Sequence, residues 1–171
     1  MALKLDMSKA YDRMEWGYLR AVLLRMGFDG RCVNLIMHCV ESGNPISPYL
    51  FILCAEGFSG LLRKYEVDGK IHGSKVARRA PVISHMLLAD DSYFFCRANT
   101  READSIMELL HLYEQASGQR VNFEKSFVFF SSNTEVIVRD SICGQLEIYE
   151  ADDNTTYLGR RILWAERRLP I

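Results

Sequence analysis

Apolar and polar residues alternate over the first segment of the chain, ALKLDM, at residues 2–7. Leu3 and Leu5 share one face of this pattern, and Lys4 and Asp6 share the other. A period of two is typical of a half-buried β-strand. The segment is therefore predicted to be a strand whose polar face ends in a carboxylate.

The spacing of apolar residues changes to that of helices after this strand. Asp12 is predicted to cap the first helix, with Glu15 as its capping-box partner, and Gly27 to end it. A second helix is predicted over about 30–40. Ser47 is predicted to cap a third, with Pro48 in the first turn, where proline is tolerated.

The second half of the chain mixes strands with helices. PVISHMLLADDSYFFCRA reads as two β-rich arms around a polar turn, which predicts a hairpin. A helix is predicted from a cap at Asn99 to Ser117, with Gly118 as its stop, and another near 134–144. RVNFEKSFVFF and TYLGRRILW are predicted strands. This order of elements predicts an α+β domain with helices packed on an antiparallel sheet.

Composition narrows the class of protein. The 171 residues suit one domain, and 49% of them are hydrophobic, which is enough for a core. A net charge of −1 argues against a strongly basic nucleic-acid arm but leaves room for a local basic face. No apolar run is long enough to span a membrane, and the charged start is not that of a secretory signal. Five scattered cysteines predict reduced thiols in an intracellular protein.

The candidate chemistry lies in three carboxylates. Asp6 ends the first strand, whereas Asp90 and Asp91 lie at the tip of the predicted hairpin. If these strands are neighbours, the three carboxylates converge at one edge of the sheet, where they repel one another unless a cation neutralises them. Mg²⁺, or Mn²⁺, is the natural candidate, because hard cations prefer carboxylate oxygens. The alternative is ordinary turn chemistry, since Asp-Asp pairs are common in turns.

Five segments together carry a family resemblance. They are KLDMSKAYDRMEW, NPISPYLF, LLADDSYFFCRA, ASGQRVNFEKS and YLGRRI, in this order along the chain. This series resembles the palm of a reverse transcriptase, the subdomain that holds the catalytic carboxylates. The similarity is greatest to the non-LTR (LINE-like) retrotransposon type common in plant genomes, and it extends from residue 1 to about residue 162.

The resemblance implies a role for each matching residue. Asp6 and Asp90 are implied to bind the catalytic metal ions, with Asp91 as a third metal-site carboxylate. Lys125 matches a lysine near the phosphates of the nucleotide that protonates the leaving pyrophosphate. The implied partners are an RNA template, a DNA primer and dNTPs.

The resemblance also implies a nucleotide pocket and a primer grip. Tyr11 matches the residue that disfavours a ribose 2′-hydroxyl, and Met7 is assigned to the same pocket. Gly43, Asn44 and Pro45 are what remains of a pocket-lining motif. The primer grip is assigned to the consecutive residues Tyr157, Leu158 and Gly159.

The chain departs from the family pattern in three places. A hairpin's worth of sequence is expected to be missing between residues 42 and 43. The basic fingers that precede the palm and the thumb that follows it are also expected to be absent, so residues 1–171 are interpreted as a partial palm domain. Apolar residues such as Phe127, Phe129 and Leu163 are then expected to lose their cover.

Several hypotheses for the function remain open at this point. The first is a fragment of an RNA-directed DNA polymerase, for which catalysis by this chain alone is not expected. The second is a non-enzymatic remnant of a decayed retrotransposon. A two-metal phosphotransferase such as a nucleotide cyclase lacks its Gly-rich turn here, and the doubly wound pattern of a receiver domain is absent. A nuclear location is inferred from the family alone.

Overall fold

The computed structural model describes residues 1–8, 14–42, 47–75, 77, 79–88, 91–151, 156–157 and 160–161. In this part of the chain the helices are α1 (Trp16–Arg25), α2 (Gly30–Glu41), α3 (Ser47–Val67), α4 (Thr100–Ser117) and α5 (Val136–Leu146). The strands are β1 (Ala2–Ser8), β2 (Ser74–Lys75), β3 (Val82–Ile83), β4 (His85–Leu88), β5 (Asp91–Phe95), β6 (Arg120–Phe129), β7 (Tyr149–Glu150), β8 (Thr156–Tyr157) and β9 (Arg160–Arg161).

The central sheet contains strands in the order β4-β5-β1-β6-β7. Its pairs are antiparallel except for β6 and β7, which run parallel. The first strand of the sequence therefore lies in the middle of the sheet, between the hairpin and β6. The predicted α+β class, with a largely antiparallel palm-like sheet, is confirmed.

Helices cover one face of the central sheet, here called the helix face. Leu3, Leu5 and Met7 of β1 point into the main core on this face. The core also takes residues from α3, α4 and α5, and the Phe58 ring stacks 4.0 Å from the ring of Tyr113. The alternation of apolar residues in β1 thus has its expected cause, because every second side chain meets the helices.

A second cluster joins α1 and α2 to α3. Leu19, Leu23 and Val33 are buried there with Met37 and Cys54. The approach of α1 to α3 is close at Gly57, where a side-chain methyl would meet the Tyr18 hydroxyl and lie 2.8 Å from Val22 Cγ2. A larger residue at this crossing would force the Tyr18 and Val22 side chains to shift, which favours glycine here.

The ends of the helices test the predicted caps. Asn99 caps α4, since its side chain accepts a hydrogen bond of 2.8 Å from the Glu102 N–H, and Gly118 ends the helix at φ 74°. The predicted cap of α1 is wrong, because the helix begins at Trp16 with Glu15 in the N-cap position. The N–H of Glu15 instead donates to the carbonyl of Ser117, so a tertiary contact sets this end of the helix.

Two expectations for the sheet need correction. The predicted last strand is a short hairpin, in which β8 and β9 pair in a two-stranded sheet of their own. Phe127 and Phe129 are buried rather than uncovered, because they pack with Ala2 in a small core flanked by Phe95 and Ala151. The third residue of that expectation, Leu163, lies outside the described residues.

The five thiols form no disulfide. Cys54 and Cys96 are buried, and burial raises the pKa of each thiol to about 12. Cys32, by contrast, is exposed. The prediction of reduced cysteines is consistent with this arrangement. None of the described helices has the length and apolar character needed to cross a membrane.

Candidate active site

Two of the three predicted carboxylates face each other across neighbouring strands. In the antiparallel register of β1 and β5, Asp6 is the direct partner of Asp91. Asp91 is the first residue of β5, where it also pairs with Leu88 of β4. Asp90, the residue before it in the sequence, lies outside the described residues. The predicted convergence of the first strand and the hairpin is therefore confirmed for Asp6 and Asp91.

A lysine lies beside this pair on the same face of the sheet. Lys4 precedes Asp6 by two positions in β1, so both side chains leave the sheet opposite to the helix face. The Lys4 Nζ lies 2.5 Å from Asp91 Oδ1, and the two side chains are only 11% and 14% exposed. The ammonium also lies 5.6 Å from the centre of the Phe127 ring. A positive charge of the chain itself thus neutralises one carboxylate of the pair.

The other carboxylate has a different environment. The Asp6 residue is half-buried. Its side chain forms neither a hydrogen bond nor a salt bridge with any residue of the described ranges. Its backbone is nevertheless fixed, since the Asp6 N–H donates a hydrogen bond of 3.1 Å to Ser126 Oγ. Among the described residues, the backbone of Asp6 is therefore held in place while neither of its carboxylate oxygens has a partner.

The serine that holds Asp6 belongs to a bulge in β6. Lys4 pairs with Phe127 and Asp6 pairs with Asn122, so the register shifts between these two positions of β1. The surplus β6 residues bend the strand away from the regular ladder. Ser126 is fully buried in this bulge, and its hydroxyl donates a hydrogen bond of 2.7 Å to the Asn122 carbonyl. One hydroxyl thus satisfies two backbone groups that the bulge removes from the ladder.

The remaining predicted site residues are distributed as follows. Lys125 is exposed and lies in the same bulge, next to Ser126. The Met7 side chain is buried in the main core, so a contact between this residue and a nucleotide would come from its backbone. Tyr157 lies in β8. The other assigned residues, Tyr11, Gly43, Asn44, Pro45, Leu158 and Gly159, lie outside the described residues.

The donor set suits a hard divalent cation. Asp6 and Asp91 offer carboxylate oxygens on one face of the sheet, and such oxygens are the ligands that Mg²⁺ prefers. Within the described ranges, no group of three or more His, Cys, Asp or Glu side chains is placed to hold a metal ion. The third predicted carboxylate, Asp90, lies outside the described residues.

Two functional candidates were missed by the sequence analysis. Lys4 shares the polar face of β1 with Asp6, so the period of two was a usable signal for its proximity. Ser126 ends the polar run NFEKS, which interrupts the alternation of an otherwise apolar strand. Such an interruption is a signal for a bulge, but the residue that the bulge would contact is set only by strand pairing.

A second polar cluster lies between α3 and β4. The Ser59 hydroxyl lies 2.7 Å from His85 Nε2, and the Ser84 hydroxyl lies 3.0 Å from Nδ1 of the same ring. Arg63 donates a hydrogen bond of 2.9 Å to Ser59 Oγ. Burial, and then the charge of Arg63, lowers the pKa of His85. Because the serine hydroxyl is already engaged from both sides, this cluster serves the packing of α3 on the sheet.

A wide groove of the described structure is separate from the carboxylates. It has a volume of about 1040 Å³ and is lined by residues that include Trp16, His111 and Arg120. No predicted site residue lines it. The carboxylate edge of the sheet, which is formed by Asp6 and Asp91, is therefore a separate feature from this groove.

Comparison with known proteins agrees with the arrangement of these strands. The sequence model of the family described as "Reverse transcriptase (RNA-dependent DNA polymerase)" matches residues 1–162. An uncharacterized mitochondrial protein of Arabidopsis thaliana is 47% identical over 53 residues. That alignment covers 31% of this chain and 43% of the relative, so it spans less than half the length of the relative. The family match includes the strands that carry Asp6, Asp91 and Lys125.

Proposed function

The chain belongs to the reverse transcriptase family, and we propose that it carries the nucleotidyl-transfer site of an RNA-directed DNA polymerase of the plant non-LTR retrotransposon type. The observation that supports this most is the register of β1 and β5, which sets Asp6 directly opposite Asp91. The proposed substrates are dNTPs, and the proposed partners are an RNA template and a DNA primer.

The proposed reaction extends a primer by one nucleotide. The primer 3′-oxygen attacks the α-phosphorus of a dNTP, the bond to the β-phosphate oxygen breaks, and pyrophosphate leaves. Mg²⁺, or Mn²⁺, held by Asp6 and Asp90 with Asp91 beside them, would lower the charge of the reacting phosphate and favour the ionised primer hydroxyl. Two such ions are the usual arrangement for in-line displacement at phosphorus.

The residues of the chain have separate tasks in this proposal. Asp6 supplies a carboxylate without a protein partner in the described ranges, at the centre of the sheet. Lys125, exposed beside the Ser126 hydrogen bond to Asp6, is proposed to donate the proton that the leaving pyrophosphate takes up. Met7, Tyr11 and residues 43–45 are proposed to contact the nucleotide, and residues 157–159 the primer. A nuclear location is proposed from the family alone.

Primer extension tests the proposal directly. The full 171-residue chain is incubated with an RNA template, an annealed DNA primer, dNTPs and Mg²⁺, beside the Asp6→Asn variant and the Asp90→Asn/Asp91→Asn double variant. Asp140→Asn is the matched control, since Asp140 is an exposed carboxylate on α5. Extension by the wild type and the control, and none by the carboxylate variants, would support the proposal and show that this chain alone catalyses the reaction, against the expectation from its sequence.

Two results would contradict the proposal. Extension that persists in Asp6→Asn would mean that the reaction does not use this edge of the sheet. No extension by any form, in samples shown to be folded, would favour the non-enzymatic remnant of a retrotransposon. A DNA template run in parallel tests the preference for RNA.

A further inference from the structure

We propose that Lys4 is a positioning residue of the carboxylate edge, and that its ammonium occupies, in the metal-free chain, the place of a cation beside Asp91. It thereby divides the roles of the two facing carboxylates, so that Asp91 is held by the protein and Asp6 is left open for metal. The part of this inference that concerns metal rests on the proposed function. The pairing of Lys4 with Asp91 does not.

The burial of Lys4 is the first reason. Lysine is almost never fully buried unless its charge is paired, because an isolated ammonium loses its hydration. Lys4 is nonetheless only 9% exposed, in the central strand of the sheet. The salt bridge to Asp91 offsets this cost. The charge of Lys4 is therefore compensated inside the protein rather than by water at the surface.

The strand register supplies the second reason. Asp6 and Asp91 are direct cross-strand partners, and like charges directly opposite each other destabilise a sheet. Lys4 is the diagonal neighbour of Asp91 on the same face, within reach of a long side chain. Its positive charge offsets one of the two negative charges at the edge. The sheet can therefore form in this register before any metal ion is bound.

The position of the ammonium is itself constrained. Phe127 is the β6 partner of Lys4, and its buried ring lies 5.6 Å from the ammonium. A cation is attracted to the face of an aromatic ring at this distance. The Lys4 side chain is thus held between the ring on one neighbouring strand and Asp91 on the other. It is a fixed counter-charge rather than a mobile one.

This arrangement has a consequence for metal binding. A divalent cation that uses both Asp6 and Asp91 competes with the Lys4 ammonium for Asp91. Removing the ammonium should destabilise the metal-free protein, because the two carboxylates then face each other without compensation. The same change should tighten metal binding, because the competing cation is gone.

A double-mutant cycle in the full chain tests the pairing. The wild type, Lys4→Met, Asp91→Asn and the combined variant are unfolded thermally and by urea in EDTA. Lys70→Met is the matched control, since Lys70 forms a comparable salt bridge with Glu108 on the exposed surface. We expect Lys4→Met to lower the Tm well beyond Lys70→Met, and Asp91→Asn to recover much of that loss in the combined variant. Lys4→Arg, which keeps the charge, should retain more stability than Lys4→Met.

Titration with Mn²⁺, followed by electron paramagnetic resonance, tests the competition. We expect Lys4→Met to bind Mn²⁺ several-fold more tightly than the wild type, with a larger metal-dependent rise in Tm. Lys70→Met should match the wild type in both. This readout does not depend on polymerase activity.

The outcomes separate the two proposals. Additive effects of Lys4→Met and Asp91→Asn, or a Tm loss no greater than that of Lys70→Met, would overturn the positioning role of Lys4. Unchanged Mn²⁺ affinity in Lys4→Met would overturn the competition. Failure of the wild type to bind Mn²⁺, with the coupling of Lys4 and Asp91 intact, would instead contradict the proposed function and support the positioning role, which is measured without metal.

Discussion

Glu102 and Asp6 are two carboxylates with opposite environments. Glu102, in the first turn of α4, is 4% exposed, and its side chain accepts hydrogen bonds of 3.0 Å from the backbone N–H groups of His72 and Arg97. The ring nitrogen His72 Nδ1 lies 3.0 Å from its other oxygen. Asp6 is less buried, and within the described ranges no side-chain or backbone donor reaches its carboxylate.

This difference indicates that Glu102 has a structural role and that Asp6 is the candidate for binding a ligand. Buried polar groups in native proteins are nearly always hydrogen-bonded, because an unmade bond costs more than a made bond contributes. Glu102 follows this rule and ties α4 to two loops. Asp6 is only half-buried, so the rule does not require a protein partner for its carboxylate. A partly accessible carboxylate without a partner among the described residues is the better candidate for a metal ligand.

The largest effect on stability is expected from removing the hydrogen-bonded carboxylate of Glu102. Glu102→Ala removes the acceptor of two backbone N–H groups, those of His72 and Arg97, together with the partner of the His72 ring. We expect the free energy of unfolding to fall by about 3 kcal/mol. Urea denaturation followed by circular dichroism measures the change.

The matched control for this variant is Glu102→Gln. Glutamine has nearly the same shape and keeps one acceptor oxygen, so it should be clearly less damaging than alanine. A loss in Glu102→Ala that is no larger than in Glu102→Gln would mean that the backbone hydrogen bonds to this carboxylate contribute little.

A smaller loss of stability is expected from removing the Ser126 hydroxyl, which holds the backbone of Asp6. Ser126→Ala removes the acceptor of the Asp6 N–H and the donor to the Asn122 carbonyl. We expect a loss of about 1–2 kcal/mol in urea denaturation, together with faster amide hydrogen exchange at Asp6. Ser105→Ala is the control, since the Ser105 hydroxyl donates to a carbonyl of its own helix. Slow exchange at Asp6 in Ser126→Ala would contradict the proposed support.

The smallest expected effect is a pH dependence of the free energy of unfolding, caused by His85 on the helix face of the sheet. Burial and the charge of Arg63 lower the pKa of His85, against the opposing effect of Glu66 and Glu56. As the pH falls below about 6.5, the unfolded chain therefore takes up a proton more readily than the folded chain. We expect the free energy of unfolding to decrease in this range.

The His85→Gln variant isolates this dependence. It lacks the titrating ring, so its stability should fall less steeply than that of the wild type between pH 6.5 and the lowered pKa. Other groups titrate equally in both proteins. Parallel curves for the two forms would show that His85 does not link folding to pH.

Local sequence signals were sufficient to predict much of the fold. The cap at Asn99 and the stop at Gly118 fixed α4, because both features act through the backbone of the residues next to them. The cap at Asp12 failed for the opposite reason. The start of α1 is tied by a hydrogen bond from Glu15 to Ser117, a residue distant in sequence.

For the candidate site, too, local sequence patterns predicted some features and tertiary contacts decided the others. The alternation in β1 and the Asp-Asp turn identified the carboxylates, and the five ordered segments identified the family. The partner of each carboxylate could not be identified from those patterns. Likewise, Phe127 and Phe129 were expected to be uncovered, but they pack in a small core with Ala2, which precedes them by more than a hundred positions.

The sequence by itself determined the elements, the polar face of β1 and the family, since each of these depends on residues close together in the chain or on their order. Only the tertiary structure decided that Asp6 faces Asp91, that Lys4 holds one of them and that Ser126 fixes the backbone of the other. The physical reason is strand register. A shift of one residue moves every side chain to the other face of a sheet, and the register of β1 is set by partners from β5 and β6, far away in the sequence.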